Sequence, residues 1–252
     1  MKNTFGNALC VTIFGESHGK SIGAVIDGLA PGMEINLDYI NEKMALRRPA
    51  GAISTARREP DPISFESGVF EGKTTGTPLC IRIENSDTKF SDYAAMKSIA
   101  RPGHADYSGY CKYEGFGDYR GGGHFSGRIT AALVAAGSIV RYTLEQKDIL
   151  IGSHIKEIAG ISDSPFESPK EQIPLVFKSS FPLLDRSVED AMKKEILKAK
   201  EDLDSVGGII ETAVTGLDAG LGEPFFDTVE GVISHGVFSV PAVKGIEFGE
   251  GF

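Results

Sequence analysis

The chain has 252 residues, 41% of them hydrophobic, with 26 basic against 35 acidic side chains and a formal net charge of −9. That length buries a real core in one large domain or two small ones. No run of about 18 apolar residues and no basic-then-apolar N-terminus points to a membrane span or a signal peptide, the acidic balance argues against nucleic acid, and Cys10, Cys80 and Cys111, with no C-x-x-C pair, predict neither a disulfide framework nor a zinc site, so a cytoplasmic protein without metal, membrane or nucleic-acid partners is expected.

Taken in chain order, residues 8–14 and 22–27 read as strands on either side of a turn at 15–19, and Pro31-Gly32 closes the second. Asn36 or Asp38 is placed to cap a helix running to about Leu46. Residues 63–70 and 78–84 alternate apolar and polar around a turn-forming stretch at 71–76, which predicts a hairpin. Residues 129–144 are apolar on nearly all sides, with Ala131, Ala132, Ala135 and Ala136 allowing close approach. This predicts a buried helix capped by Ser126. A second helix, over 188–203, carries Val188, Met192, Ile196 and Ala199 on one stripe, with Asp185 or Ser187 before it. Gly207-Gly208 ends it, and 208–217 alternates as a strand.

Two nucleotide-binding patterns nearly match and fail. Residues 68–74 end in Gly-Lys-Thr but have three residues between the glycines where a phosphate-binding loop needs four, and they lie in the expected hairpin. Gly115-Phe116-Gly117 begins a dinucleotide fingerprint, yet Arg120 stands where its third glycine belongs.

The arginines cluster instead. Arg47 and Arg48 are adjacent, Arg57 and Arg58 follow, and Arg101, Arg120 and Arg128 each stand near glycine or proline. A guanidinium fork binds carboxylate and phosphate at two points and keeps its charge in a partly dry pocket. The bland alternative for each arginine alone is a solvated charge with local ion pairs to Glu59 and Asp61. His18, His104 and His124 occupy glycine- or proline-flanked loops, and at His18 and His104 an imidazole beside arginine-bound anions suits proton donation to a leaving group or holding a negative cofactor. The alternative for each is a histidine that merely satisfies backbone carbonyls. Adjacent Ser17 and His18 are not expected to point their side chains at each other. Gly121, Gly122 and Gly123 approach a helix N-terminus, where backbone N–H groups suit an anion. The residues thus predict an α+β enzyme for a phosphorylated, polyanionic small molecule.

The reaction comes from a resemblance. Residues 14–19 (FGESHG), 101–106 (RPGHAD) with Lys112-Tyr113, and 119–128 (YRGGGHFSGR) are three of its blocks. Asp27-Gly28 with Pro31-Gly32, 67–72 (SGVFEG) with Thr74-Thr75-Gly76, 205–208, and 220–224 with 247–252 complete the series. In this order and along the whole chain they resemble the signature blocks of chorismate synthases. The resemblance implies an α+β fold, a β-α-α-β sandwich with helices between antiparallel sheets, in a single domain over 1–252 that assembles as a homotetramer. It implies a carbon–oxygen lyase that eliminates phosphate from 5-enolpyruvylshikimate 3-phosphate in a 1,4-anti sense, the last common step to the aromatic amino acids. Reduced FMN is the implied cofactor, and NADPH is a candidate reductant because some members reduce flavin with it. His18 would protonate the departing phosphate and His104 contact the reduced flavin. Arg47, Arg48, Arg101 and Arg128, with Ser17, would hold the substrate. His124, Phe125 and Ser126 stand at a flavin-contacting stretch that reads Arg-Ser-Ser in many members. An arginine common in the family beyond the Arg-Arg pair is replaced in the area of Ala52 and Ile53. Members usually continue for roughly another hundred residues, so a domain truncated at its C-terminus is expected. The alternative is an inactive fragment, or a flavin or phospho-ligand binding module lacking the C-terminal part of the site.

Overall fold

In the computed structural model the residues described are 2–49, 51, 53, 54, 60–86, 97, 99–177 and 179–251. Arg57, Arg58, Glu59 and Ala52 lie outside them. In chain order the elements are β1 (Thr4–Gly6), β2 (Cys10–Gly15), β3 (Ser21–Asp27), α1 (Leu37–Arg47), β4 (Ile63–Ser67), β5 (Val69–Phe70), β6 (Lys73–Thr74) and β7 (Leu79–Glu84). Then come α2 (Asp106–Lys112), α3 (Thr130–Glu145), β8 (Leu150–Ile158), β9 (Ile161–Ser162), α4 (Pro169–Val176), α5 (Glu189–Glu201), β10 (Gly208–Thr215) and α6 (Val229–Val237). The class is α+β with antiparallel sheets, as expected. Among the described residues no helix is long and apolar enough to cross a membrane.

The chain forms two compact units. The first comprises Met1–Arg47, Arg58–Val140 and Gly220–Phe252. Its sheet has the order β1-β2-β3-β7-β4, antiparallel throughout. The period of two along β3 and β7 sends Ile22, Ala24, Ile26, Leu79, Ile81 and Ile83 to one face, where all are fully buried. Each isoleucine so buried contributes about 1.5–3 kcal/mol. Ile40 and Met44 of α1 and Ala131, Ala132, Ala135, Ala136 and Ile139 of α3 complete that core. The cap of α1 is Asn36, whose Oδ1 accepts from Tyr39 N–H at 3.0 Å. The hairpin expected over 63–84 forms with β4 against β7, and its turn contains the short ribbon β5-β6. Lys73 and Thr74 sit in that ribbon, so the Gly-Lys-Thr run meets no helix N-terminus.

The second unit comprises Arg48–Arg57 and Arg141–Ala219. Its sheet has the order β10-β8-β9. Ile173 of α4 packs so tightly on Gly152 of β8 that an added Cβ would lie 2.7 Å from it. Phe181, Leu183 and Met192 form a second core with Val188 and Ile196 at its margin, which is the stripe read for the second helix. Asp185 rather than Ser187 makes a cap, but of the 3-10 turn Arg186–Val188 that leads into α5: its Oδ1 accepts from Ser187 N–H at 2.8 Å, while α5 itself begins after Val188 without a side-chain cap. The helix closes at Glu201 and the strand begins at Gly208, so Gly207-Gly208 opens the strand instead of ending the helix.

Candidate active site

The site builds outward from the loop after β2. Gly19 N–H donates to Glu16 O at 3.0 Å, closing a turn that carries Ser17 and His18, 0% and 5% exposed. Contrary to expectation the two side chains meet, with Ser17 Oγ 3.0 Å from His18 Nδ1. The cause is the glycine loop packed against them. A Cβ on Gly121 would lie 2.2 Å from His18 Cε1, so only glycine lets the loop come this close. Its approach brings the carbonyls of Arg120 and Gly121 to 3.2 Å from Ser17 Oγ, which has one hydrogen to give. Ser17 N–H donates to Gly123 O at 3.1 Å, and His124 Nδ1 donates to Gly15 O at 2.7 Å.

Gly121, Gly122 and Gly123 all have positive φ, and Gly123 has no room for a Cβ beside Asp118 O. The chain then turns through a 3-10 segment, Gly127–Ile129, before α3. Ser126 caps it by accepting from Arg128 N–H at 3.3 Å. Arg128 therefore sits in the 3-10 turn, 5% exposed, with its fork aimed at Asp61. Arg47 reaches the other oxygen of the same carboxylate at 3.4 Å, and its Nη2 donates to Gly127 O and Arg128 O. Two guanidinium charges thus share one buried carboxylate. Asp61 holds this place with φ +53°, a conformation that aspartate tolerates better than most residues.

Around α2 the arginines are also matched to carboxylates. Arg101 Nε and Nη2 face the two oxygens of Asp106 at 2.8 and 2.9 Å. These bonds hold the Asp106 carboxyl down from 3.8 to about 2. Arg120 grips Asp118 in the same way, at 2.8 and 2.6 Å, and chiefly through that hydrogen bonding holds its carboxyl below the usual range, with a smaller contribution from His18. His104 is exposed in the turn before α2, with Nδ1 donating to Pro102 O at 3.1 Å. Arg48 is half-buried in the second unit.

A cavity of about 680 Å³ lies here, walled by Tyr107, Tyr110, Tyr113, Tyr119 and Phe125, with Arg101 on its lining. His124 and Phe125 also line a neighbouring one, with Glu16. Lys97, Asp106 and Asp118 are also on the lining, and the aromatic walls suit a flat ring system.

A family model described as chorismate synthase matches residues 9–252. The chain belongs to the chorismate synthase family. It is 40% identical over 250 residues to the chorismate synthase of Archaeoglobus fulgidus, covering 99% of this chain and 69% of that protein. It is 43% identical over 253 residues to the one from Dehalococcoides mccartyi, covering 100% and 69%. A solved structure titled as a crystal structure of chorismate synthase superposes with a TM-score of 0.77 at 28% identity, over 96% of this chain and 68% of that one.

Among the residues that the family resemblance singled out, Ser17, His18 and His124 converge on one loop pair, and Arg47 and Arg128 converge on Asp61. Arg101 and Phe125 share the tyrosine cavity. Sequence reasoning missed Asn85, whose amide joins the histidine turn to Arg128. It also passed over His154, which is fully buried between Asp163 (2.8 Å) and Glu211 (2.7 Å). Burial works to raise the Glu211 carboxyl, but the bonds from His154 and from Phe166 N–H, with nearby Lys156, leave it net lowered. One signal was available. His154 shares the inward parity of Gly152 along β8, so a polar residue at that position needs buried partners.

Proposed function

We propose that this chorismate synthase family member is a lyase that eliminates phosphate from 5-enolpyruvylshikimate 3-phosphate, giving chorismate for aromatic amino-acid biosynthesis. In a 1,4-anti elimination the carbon–oxygen bond to phosphate and a carbon–hydrogen bond break, a new double bond forms, and no net oxidation occurs. The observation that carries the reading is the placement of His18. A family histidine is buried beside a neutral hydroxyl, in the same unit as two arginines that share one carboxylate. His18 donates a proton to the leaving phosphate oxygen. Arg47, Arg101 and Arg128, with Ser17, hold a substrate bearing about four negative charges, whose desolvation needs several guanidinium partners. His124, Phe125 and Ser126 with the tyrosine cavity fit the ring system of FMN, and His104 stands at the turn leading into that wall. Reduced FMN, when bound, supplies electron density during the elimination.

Phosphate release from 5-enolpyruvylshikimate 3-phosphate under anaerobic conditions tests this. Release with chemically reduced FMN and none with oxidised FMN is the expected result. No release from the folded chain with either flavin would overturn the reading.

A further inference from the structure

Asn85 follows β7 directly. Its backbone N–H donates to Lys20 O at 3.2 Å, extending the β3-β7 ladder by one rung and fixing where the side chain starts. The side-chain amide then meets three partners. Nδ2 donates to Glu16 O and to Gly19 O, both at 2.9 Å, and Oδ1 accepts from Arg128 Nε at 3.1 Å. The amide has only one workable orientation, because carbonyls only accept and a guanidinium only donates. Glu16 and Gly19 are the two ends of the turn that carries Ser17 and His18. One half-buried side chain therefore clamps both ends of the histidine turn and holds the fork of Arg128. Arg128 is fixed on its remaining sides by Asp61 and by Glu84 O, so it is a rigid reference point for the clamp.

We propose that Asn85 is a positioning residue for the elimination, setting His18 and Arg128 in one register so that the proton donor and the anion-holding guanidinium address the same substrate. The inference rests on the roles proposed above for those two residues. Its chemical requirement is narrow. Aspartate has the same shape and would keep the acceptor for Arg128, but it sets an oxygen against two carbonyl oxygens where two N–H bonds had been. The turn would lose its clamp while the arginine kept its partner. Alanine would release both.

The test uses Asn85→Asp, His18→Gln and the double variant in the full chain, with phosphate release from 5-enolpyruvylshikimate 3-phosphate and reduced FMN. Because displacement of about 1 Å at a reacting group costs on the order of 100-fold, N85D is expected to lower kcat by about 10- to 100-fold. Its KM should move by less than about threefold, since Arg128 keeps its acceptor. In the double variant kcat should equal that of H18Q, because the clamp then has no donor to position. Losses that multiply in the double variant, or a wild-type kcat in N85D, would overturn the proposal while leaving His18 its role. A wild-type kcat in H18Q would remove the role of His18 and the proposal with it, and the single variant alone identifies that case. Imidazole NMR signals give a readout independent of turnover. Those of His18, identified by their absence in H18Q, should shift in N85D while those of His154 stay, and unmoved His18 signals would sink the idea.

Discussion

His18 and His154 are both buried histidines, one in each unit, and they differ in the hydrogen bonds seen at their rings. His154 has a carboxylate on each ring nitrogen and packs edge-on to Phe166 at 4.7 Å. One of those carboxylates, Asp163, also accepts from the main-chain N–H of Ser164, Leu184 and Asp185, at 2.7–2.8 Å. This imidazole is a cross-brace between strands and loops, with both nitrogens committed. His18 bonds instead to a neutral hydroxyl, on a turn whose carbonyls are held by Asn85. Burial alone does not separate a structural histidine from a working one; the two carboxylates that clasp both ring nitrogens of His154 mark it as a brace.

The comparison can be broken most directly at His18. His18→Gln should lower kcat by about 100- to 10,000-fold, the range for losing a general acid, with a smaller change in substrate binding. Equal losses in kcat and affinity would remove the acid role. At His154 the expected loss is in stability. His154→Ala leaves Asp163 and Glu211 without their shared partner and should cost about 3 kcal/mol of unfolding free energy, as breaking a buried pair does. An unchanged denaturation midpoint would make the two histidines equivalent after all. Arg128→Ala should weaken substrate binding by about 10- to 100-fold, the worth of a charged hydrogen bond, and unaltered affinity would refute its assignment.

The smallest effect concerns acid. Asp106 has its carboxyl depressed in the folded state from 3.8 to about 2, first by the Arg101 side chain. A depressed folded value means that the stabilisation is complete above 3.8 and is lost as pH falls towards about 2. Asp106→Asn should therefore be modestly less stable at neutral pH and should converge on the wild type through that window. Parallel loss of stability in the two proteins would show that the pair contributes nothing.

What was legible in the sequence was local. The Asn36 cap, the Asp185 cap of the turn before α5, the hairpin of β4 with β7, the buried stripes of α3 and α5 and the hairpin placement of the Gly-Lys-Thr run depend on residues within a turn or a strand of one another. What escaped depends on pairs far apart: Arg128 with Asp61 at 67 residues, Asn85 with Glu16 at 69 and His154 with Glu211 at 57. Asp61 was visible as an acid near the arginines, but its place between two of them requires the sheet order. Ser17 and His18 mislead for the same reason. Their mutual contact is imposed by a glycine loop over a hundred residues away, which no rule about neighbours contains.

That separation also sets an order of assembly. The β2-β3 hairpin closes over a handful of residues, whereas the bonds that seat His18 join Ser17 to Gly121 and Gly15 to His124, across 104 and 109 residues. Closing such long loops comes after local pairing, because the entropy of the intervening chain must be overcome before any contact forms. In pulsed hydrogen exchange during refolding, the Ser17 amide should gain protection after the amides of the hairpin, and simultaneous protection would contradict this order. A nascent chain halted before residue 124 would thus carry a formed hairpin with its histidine turn still unseated.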